Sequence, residues 1–344
     1  MRTLTNRNNL PQTLVDAIAD DQHWLGGDIS VTTLIDAPQI RMLRKNNDVE
    51  EDVMDKMFAT LGTGVHAILE RSQVPSVKRR AFMVVLDELR RVYQEAKDAT
   101  EKDKEYLVDK VTEIGSFLKK LMNTLFPQGA DKYLFEHRMV TEVLGWKLSG
   151  TSDLYEKDSF KIWDYKVCSV YQYKSPEGNK KWKEQLNIYA YMLRKQGHRV
   201  DKISVVAIFR DFSAMALARD SYGYPPAITV EIPVPVMNNE DVEKLIFERV
   251  GLHQRVQAGE HTECTAEDRW AKPDTYAIMK PGFKRSVKNF GDNFTAMVFL
   301  GDKKHLYPEA YIEHRPGEFG NKCNNYCDVK NFCPQFKKHL EETK

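Results

Sequence analysis

The sequence predicts a mixed α/β fold, in which one sheet is covered by helices. Between about residues 131 and 212, short segments rich in aromatic and β-branched residues are separated by turn formers and interrupted by one amphipathic helix. Before this region, apolar residues recur at helical spacing. The resulting order of helix, three strands, helix and strand is typical of a mixed sheet flanked by helices.

The first 130 residues are predicted to be largely helical. "LPQTLVDAIADDQ" has helical spacing, and Pro38 interrupts the following segment, "ISVTTLIDAPQIRMLRK". "DVEEDVMDKMFATLGTGVHAILERS" has the spacing of a helix with one buried face, and two charged helices are expected between 77 and 126. We therefore expect an N-terminal segment over 1–45 and a helical region over 46–130.

Three consecutive strands and a fourth are predicted in a core over 131–215. The first three are "YLFEHRMVTEVL", "WKLSGTSDLYEK" and "FKIWDYKVCSV". The helix "KKWKEQLNIYAYMLRKQG" follows, ending at Gly197, and "KISVVAIFRDF" is the fourth strand. Residues 216–344 form a C-terminal extension with the extended segment "ITVEIPVPV", the helix "NEDVEKLIFERVGLHQRVQAG" and a loop-rich tail that carries four of the five cysteines.

Composition limits the classes of function. The chain has 344 residues, 42% of them hydrophobic, and no apolar run long enough to cross a membrane or resembling a secretory signal, so we expect a cytosolic protein. The net charge is +1, so attraction for a polyanion must come from local patches. Such patches are usually solvated faces. The candidates are Lys78, Arg79 and Arg80; Lys174, Lys180, Lys181 and Lys183; and Lys280, Lys284, Arg285 and Lys288.

Three charged residues stand at the ends of predicted strands: Asp153, Asp164 and Lys166. Side chains two apart on a strand share a face, so Asp164 and Lys166 point the same way. If the two strands pair as a hairpin through "EKDS", Asp153 and Asp164 come within reach of one cation. Two carboxylates suit Mg²⁺ or Mn²⁺, and a neighbouring lysine could polarise a water there. The alternative is an exposed Asp/Lys pair on an edge strand and a turn Asp.

Two helices add further candidates. Gln185 and Tyr189 lie four apart and share a face of their helix. His66 lies in "LGTGVHAILE", where Gly62 and Gly64 weaken the helix and suggest that another backbone or a ligand comes near. The alternatives are that Tyr189 is an ordinary core residue, Gln185 a surface amide and His66 a structural histidine.

Together these residues resemble the PD-(D/E)XK nucleases, in the RecB-like branch. That branch carries a helical His, then G-x-x-D, (D/E)-x-K and Q-x-x-x-Y, and the chain has His66, "GTSD", "DYK" and "QLNIY" in this order. The resemblance implies a restriction-endonuclease-like core, a mixed sheet flanked by helices, with a helical insertion and a cysteine-stapled C-terminal tail. It covers about residues 28 to 336.

The resemblance also implies roles for the site residues. Metal ligands would be His66, Asp153, Asp164 and the backbone carbonyl of Tyr165, and Lys166 would be the catalytic lysine. Gln185 and Tyr189 would touch the DNA backbone or support the lysine. Glu136, on the first strand, could add a metal contact but matches no motif.

Three cysteines crowd into "KCNNYCDVKNFC", and crowding of this kind in a reducing compartment indicates a metal or cluster rather than disulfides. Four thiolates could close either a tetrahedral Zn²⁺ site or a 4Fe–4S cluster, and spacing alone does not separate these. AddB-type, CRISPR-adaptation and phage nucleases hold a 4Fe–4S cluster with one distant and three C-terminal cysteines, which implies a cluster at Cys264, Cys323, Cys327 and Cys333. The chain departs from their C-x2-C-x5-C pattern by one residue, and Cys264 follows the core rather than preceding it.

The resemblance implies an Mg²⁺- or Mn²⁺-dependent DNA exonuclease that processes DNA ends for recombination, as in phage. DNA would be the substrate, and a helicase or strand-annealing protein a possible partner. Two other functions stay open: a structure-specific or defence endonuclease of the same fold, and a non-catalytic DNA-end-binding module.

Overall fold

The computed structural model describes residues 2–19, 26–72, parts of 84–92 and 107–117, 132–174, 180–220 and 223–343. These residues divide into two compact units. We call residues 16–31 and 54–247 the sheet unit, and residues 1–15, 32–53 and 248–344 the cysteine unit. The two charged helices expected between 77 and 126, and Lys78, Arg79 and Arg80, lie largely or wholly outside the described residues.

The described strands run in chain order as β1 (Arg2–Thr5), β2 (Ile29–Ser30), β3 (Val49–Asp52), β4 (Tyr133–Val143), β5 (Trp146–Glu156), β6 (Lys161–Cys168), β7 (Lys202–Phe209), β8 (Thr229–Val234), β9 (Thr275–Met279), β10 (Lys288–Phe290) and β11 (Tyr311–Arg315). The described helices are α1 (Gln12–Ala19), α2 (Val31–Leu34), α3 (Pro38–Asn46), α4 (Val53–Ser72), α5 (Val170–Lys174), α6 (Lys180–Lys195), α7 (Ala214–Arg219), α8 (Asn239–Gln257), α9 (Ala266–Arg269), α10 (Asn293–Asp302), α11 (Asn321–Asn325) and α12 (Pro334–Glu342).

The sheet unit contains a mixed six-stranded sheet, as the sequence predicts. Its strands are ordered β2-β5-β6-β7-β8, and β4 also pairs with β5. The β4–β5, β5–β6 and β7–β8 pairs are antiparallel, whereas β2–β5 and β6–β7 are parallel. The parallel β6–β7 pair needs a crossover, and α6 lies in that connection. The predicted strands and the predicted helix over 180–197 are therefore confirmed.

Strand β5 has a gap in its pairing, because its two ends pair with different neighbours on one edge. One edge of β5 is bonded to β4 along most of its length. On the other edge, Leu148 and Ser149 pair with β2, and only Leu154–Glu156 pair with β6. Residues 150–153 therefore have no strand partner on that edge among the described residues. This stretch of β5 forms a gap in the ladder, which side chains from other elements can approach.

Helix α6 covers the sheet next to this gap. It is buried through Leu186, Ile188, Ala190 and Leu193, and it contacts β4, β5, β6 and β7. The helix ends before Gly197, whose φ of 89° is a left-handed value that favours glycine. A rigid, buried helix of this kind holds its polar residues in fixed positions against the sheet.

Helix α4, which carries His66, differs from the prediction at its start. Residues 49–52 form β3, which pairs in parallel with β1, and the helix begins only at Val53. Gly62 and Gly64 lie inside the continuous helix, and a Cβ built on either would meet nothing within 4 Å. Within the described residues, the close approach of another backbone that these glycines suggested is therefore not found.

The cysteine unit has more regular structure than a loop-rich tail. An antiparallel sheet of order β10-β9-β11 packs against α10, with Ala277, Ile278 and Ala296 fully buried. Short helices α9, α11 and α12 surround the cysteines. The sequence did not predict these strands, because strands of three to five residues carry too little periodicity to be recognised. None of the described helices has the length and apolar character needed to cross a membrane.

Candidate active site and cysteine cluster

The site in the sheet unit begins where β5 and β6 separate. The hairpin through residues 157–160 is present, and its register places Asp153 opposite Asp164, one step beyond the last paired residues, Leu154 and Trp163. Instead of pairing through its backbone, Asp153 accepts a hydrogen bond from the Tyr165 amide at Oδ2 (2.8 Å). This side chain thus replaces a missing ladder bond and is fixed in place. Burial, together with the Asp164 charge, raises the pKa of Asp153 to about 7.

His66 reaches this point from α4. Its Nε2 lies 3.0 Å from the carbonyl oxygen of Tyr165, so Nε2–H donates and Nδ1 faces the other way. Nδ1 lies 3.6 Å from Asp153 Oδ2 and 3.6 Å from Glu136 Oε1. The nearby carboxylates, Glu136 first and then Asp153, outweigh burial, so the pKa of His66 is raised. When the ring is neutral, the Nδ1 lone pair points towards two carboxylates, an arrangement that a cation would stabilise.

Glu136 is the site residue that no sequence motif identified. It lies on β4 opposite Asp153, between the pairs Phe135–Leu154 and His137–Ser152. Its φ is 42°, a left-handed value that is uncommon for a residue with a side chain. Backbone conformations of this kind cost free energy and concentrate at functional sites. The only signal in the sequence is this register, because a residue opposite Asp153 on the neighbouring strand must lie near it.

The ligand atoms of His66, Glu136 and Asp153 all lie within 4.8 Å of one another. One nitrogen and two carboxylate oxygens are suitable ligands for Mn²⁺ and acceptable ones for Mg²⁺. The structure therefore brings together two of the predicted ligands, His66 and Asp153, and adds Glu136. The Tyr165 carbonyl, which was also predicted as a ligand, accepts a hydrogen bond from the imidazole of His66.

Asp164 and Lys166 form a separate pair on β6. Asp164 is 1% exposed, and Lys166 Nζ donates to its Oδ1 at 3.1 Å. The same nitrogen lies 2.9 Å from Oδ2, yet Oδ2 receives no well-aligned hydrogen bond from the described residues. Burial alone would lower the pKa of Lys166, but the charges of Asp164 and Asp153 raise it overall. Lys166 is thus a fixed cation, and one buried oxygen of Asp164 is left to accept a further contact.

Gln185 and Tyr189 lie buried on α6, with the Tyr189 ring against β5. Gln185 Nε2 donates to the Tyr189 hydroxyl at 2.9 Å, and burial raises the pKa of Tyr189 to about 12. The Tyr189 ring packs directly on Gly150, where a Cβ would lie 2.7 Å from Tyr189 Cε1. A residue without a side chain is therefore needed at position 150 beneath this ring. This contact packs the "GTSD" segment against the "QLNIY" segment. Because only a hydrogen atom fits at Gly150, α6 can approach the gap in β5 closely.

The four candidate cysteines of the cysteine unit line one pocket, together with Leu43, Arg269 and Phe336. Cys323 and Cys333 are buried beside Phe336, whereas Cys264 and Cys327 are partly buried and pack against a cluster formed by Ala37, Ile40, Val49 and Val329. All four are free thiols. Cys168 is buried on β6 in the sheet unit and takes no part in this group.

Polar contacts hold these cysteine segments together. Gln335 accepts from the Cys264 amide and donates to its carbonyl, each at 3.0 Å. Arg44 forms a two-pronged ion pair with Asp328, next to Cys327, at 2.6 and 2.8 Å. Burial raises the pKa of Cys264 to about 12, and the other three thiols add to this rise. A thiol whose ionisation is disfavoured by burial and by neighbouring sulfurs is one that a bound cation would stabilise in its ionised form.

Comparisons with known proteins were made on the whole chain. A search of curated proteins finds no match. Residues 39–334 match the family model described as the PD-(D/E)XK nuclease superfamily. This range includes every candidate residue of both sites, and the mixed sheet flanked by helices agrees with the fold of that family. The chain therefore belongs to the PD-(D/E)XK nuclease superfamily.

Proposed function

We propose that the protein is a metal-dependent DNA exonuclease of the RecB-like branch. The observation that carries the proposal is the geometry of His66 Nδ1, which faces two carboxylates at 3.6 Å beside the fixed Asp164–Lys166 pair. Members of this superfamily are nucleases that use divalent metals, and the acidic site fits such an ion. Order and spacing of the four motifs support the RecB-like branch.

His66, Glu136 and Asp153 would hold the divalent ion, and Asp164, ion-paired with Lys166, would face it from β6. A bound Mg²⁺ or Mn²⁺ supplies Lewis acidity and lowers the pKa of a water molecule near the scissile phosphate. The protein's own residues position this chemistry. The Tyr165 amide fixes Asp153, and the Tyr165 carbonyl fixes His66. The positions of two proposed ligands therefore depend on the backbone of one residue.

Lys166 supplies the fixed positive charge of the site. Its ammonium is held against Asp164 and stays protonated at neutral pH, so it can neutralise charge that develops on a phosphate oxygen. It therefore serves as an electrostatic stabiliser rather than as a general base. Tyr189 and Gln185 act through packing, because they hold α6 against Gly150 and the gap in β5. We expect both to be positioning residues.

We further propose that Cys264, Cys323, Cys327 and Cys333 hold a 4Fe–4S cluster, with Zn²⁺ as the alternative. All four thiols line one pocket, which suits either centre. The resemblance to nucleases that hold a cluster with one distant and three C-terminal cysteines supports the choice of iron and sulfur. Iron and zinc analysis of anaerobically purified protein, with its visible spectrum, tests the assignment.

Incubating linear, nicked and circular DNA with Mn²⁺ tests the activity. An exonuclease degrades linear DNA from its ends and nicked DNA from the nick, and leaves closed circles intact. Cutting of closed circles would instead support the endonuclease alternative, and no product would support a non-catalytic DNA-end-binding module. The Asp164→Asn variant measures contaminating nuclease, and any product it forms is subtracted.

Processing of DNA ends for recombination is the role that fits an exonuclease of this type, and phage members of the branch supply the analogy. A helicase or strand-annealing protein would be the partner in that role. Co-purification of either class of protein with the tagged full-length chain tests this part of the proposal.

A further inference from the structure

A cationic and aromatic surface in the cysteine unit takes no part in either site. It is formed by the loop between β9 and β10, by β10, by α10 and by the residues that follow α10. Residues 280–307 contain six Lys or Arg against two Asp, whereas the whole chain has a net charge of only +1. We call this the hairpin surface and define it by Lys280, Phe283, Lys284, Arg285, Lys288, Phe294, Lys303 and Lys304.

None of the six cations forms an ion pair with the described residues. Elsewhere in the same unit, cations are commonly paired with carboxylates, as in Arg7–Glu50, Arg44–Asp328, Arg255–Glu260, Lys272–Glu318 and Arg315–Glu313. One of the two acidic residues, Asp292, is occupied as the N-cap of α10. The charge of the hairpin surface is therefore not neutralised within the described part of the protein.

Ring contacts show that these segments form one continuous surface. Lys280 Nζ lies 4.5 Å from the centre of the Tyr307 ring, which joins the start of the loop to the segment after α10. Lys288 Nζ lies 5.1 Å from the ring centres of both Phe290 and Phe299, which joins β10 to α10. Cation–π contacts of this kind hold ammonium groups at a surface without neutralising them.

Large apolar side chains are exposed among these cations. Phe283 is 66% exposed on the loop, and Phe294 is 72% exposed at the start of α10. Met297 and Val298, one turn further along α10, are also exposed, and Ala296 is the buried residue of that helix. Exposed rings beside unpaired cations match the two parts of a single-stranded nucleic acid, bases that stack and phosphates that carry charge.

We propose that the hairpin surface binds single-stranded DNA. A duplex would offer the phosphates, but its base faces are stacked away from Phe283 and Phe294. A second copy of this chain, meeting the surface through the same residues, would bring like charges together. The inference rests on the proposed function for its choice of DNA, and it adds that the substrate is held as a single strand outside the cleavage site.

The test measures binding of the full chain to a labelled oligothymidylate of about 16 nucleotides, by fluorescence anisotropy without divalent metal. Asp164→Asn is present throughout to prevent cleavage. The double variant Lys284→Glu/Arg285→Glu should weaken binding at least about tenfold at low salt. It should also reduce the slope of log affinity against log salt by about 1.4, because each lost phosphate contact on a single strand contributes about 0.7.

The matched control is Lys45→Glu/Lys337→Glu, which makes the same change of charge at exposed positions of the same unit. It should leave binding within about twofold of the parent, because the surface is local and long-range charge effects are screened. Phe283→Ala/Phe294→Ala should weaken binding about tenfold without changing the salt slope, since it removes stacking and no charge. Metal content and thermal melting of each variant confirm that the cysteine unit is intact.

Unchanged binding by Lys284→Glu/Arg285→Glu would overturn the proposal. The proposal would also be overturned if the protein bound duplex DNA as tightly as the oligothymidylate and the Phe283→Ala/Phe294→Ala variant bound normally. Loss of self-association in gel filtration, with oligonucleotide binding unaffected, would assign the surface to a second copy of the chain instead. If the unmodified chain cleaves no DNA with Mn²⁺ but the variants lose binding as expected, the hairpin surface stands and the nuclease proposal fails.

Discussion

The two sites of this protein are held in place in different ways. In the sheet unit, Asp153, Asp164 and Lys166 lie on long paired strands beneath a buried helix, and backbone groups of Tyr165 fix Asp153 and His66. In the cysteine unit, four free thiols come from short segments, and few buried apolar residues surround them. The first site is assembled by its fold, whereas the second is joined by polar contacts and, on the proposal above, by a bound centre.

This difference explains why the residues of the two sites are spaced differently in the sequence. A site built on strands can spread its residues along a regular framework, so Asp153 and Asp164 are placed by register alone. A site on short segments has no such framework, and its ligands must be close in the chain or tied by polar contacts such as Gln335 with Cys264. Binding of a metal centre then contributes directly to the free energy of folding.

The largest expected effect is loss of the cysteine unit when its centre is removed. Cys323→Ser should release the metal and make residues 248–343 sensitive to protease, because structural metal binding can contribute on the order of 10 kcal/mol. The sheet unit should remain resistant. Limited proteolysis with mass spectrometry measures both. Cys168→Ser, the matched change at a buried thiol outside the group, should alter neither. A protease-resistant, metal-free Cys323→Ser protein would contradict the comparison.

Next in size is the loss of catalysis at Lys166. Lys166→Ala should lower kcat/KM for linear DNA about 10²–10³-fold, since it removes a fixed charge that stabilises the transition state. The melting temperature should also fall, because the variant leaves the buried Asp164 carboxylate without its cation, so activity is compared at a temperature at which both proteins are folded. Lys202→Ala, at an exposed position on the neighbouring strand, is the control and should retain activity. Full activity of Lys166→Ala with Mn²⁺ would remove Lys166 from the mechanism.

A smaller effect is expected from filling the space at Gly150. Gly150→Ala should destabilise the sheet unit by about 1–3 kcal/mol, because the new methyl group overlaps the Tyr189 ring. Adding Tyr189→Leu should recover part of this loss, whereas adding Tyr189→Phe, which keeps the ring, should not. Chemical denaturation of the single and double variants measures this coupling. Equal behaviour of the two double variants would show that the ring does not set the position of α6.

The smallest effect is the pH dependence of metal binding. Because the pKa of Asp153 is raised to about 7, the carboxyl is mostly protonated at lower pH, and Mn²⁺ must displace that proton. Mn²⁺ affinity, measured by calorimetry, should fall at least about tenfold for each pH unit below this value, because His66, whose pKa is also raised, must lose its proton as well.

Asp153→Asn, in which this proton is absent, should bind Mn²⁺ weakly and with less pH dependence. The raised pKa also means that Asp153 contributes stability that is lost as pH rises from about 4 through 7 in the metal-free protein. Asp153→Asn should therefore raise the melting temperature of the metal-free protein at pH 8. An affinity for Mn²⁺ that does not change between pH 6 and 8 would contradict this assignment.

Much of the sheet unit could be predicted because its strands are long enough to show alternation. The hairpin at 157–160 and the shared face of Asp164 and Lys166 follow from strand geometry alone. The sequence did not identify Glu136 as a metal ligand by any motif, since its left-handed backbone inside a strand depends on the tertiary structure. In the cysteine unit, the four thiols were selected by crowding, but the contribution of Leu43 and Arg44 from α3 is nonlocal and leaves no local pattern.

The division of the chain into units has a consequence for synthesis. The sheet unit draws only on residues up to 247, whereas the cysteine unit combines residues 1–15 and 32–53 with residues 248–344. During translation, the residues for the cleavage centre emerge first, while early segments of the cysteine unit must wait for Cys333. Ala37 and Ile40 are buried in the folded protein, but in the nascent chain they stay exposed until Val329 has been synthesised. We therefore expect this part of the chain to need protection on the ribosome.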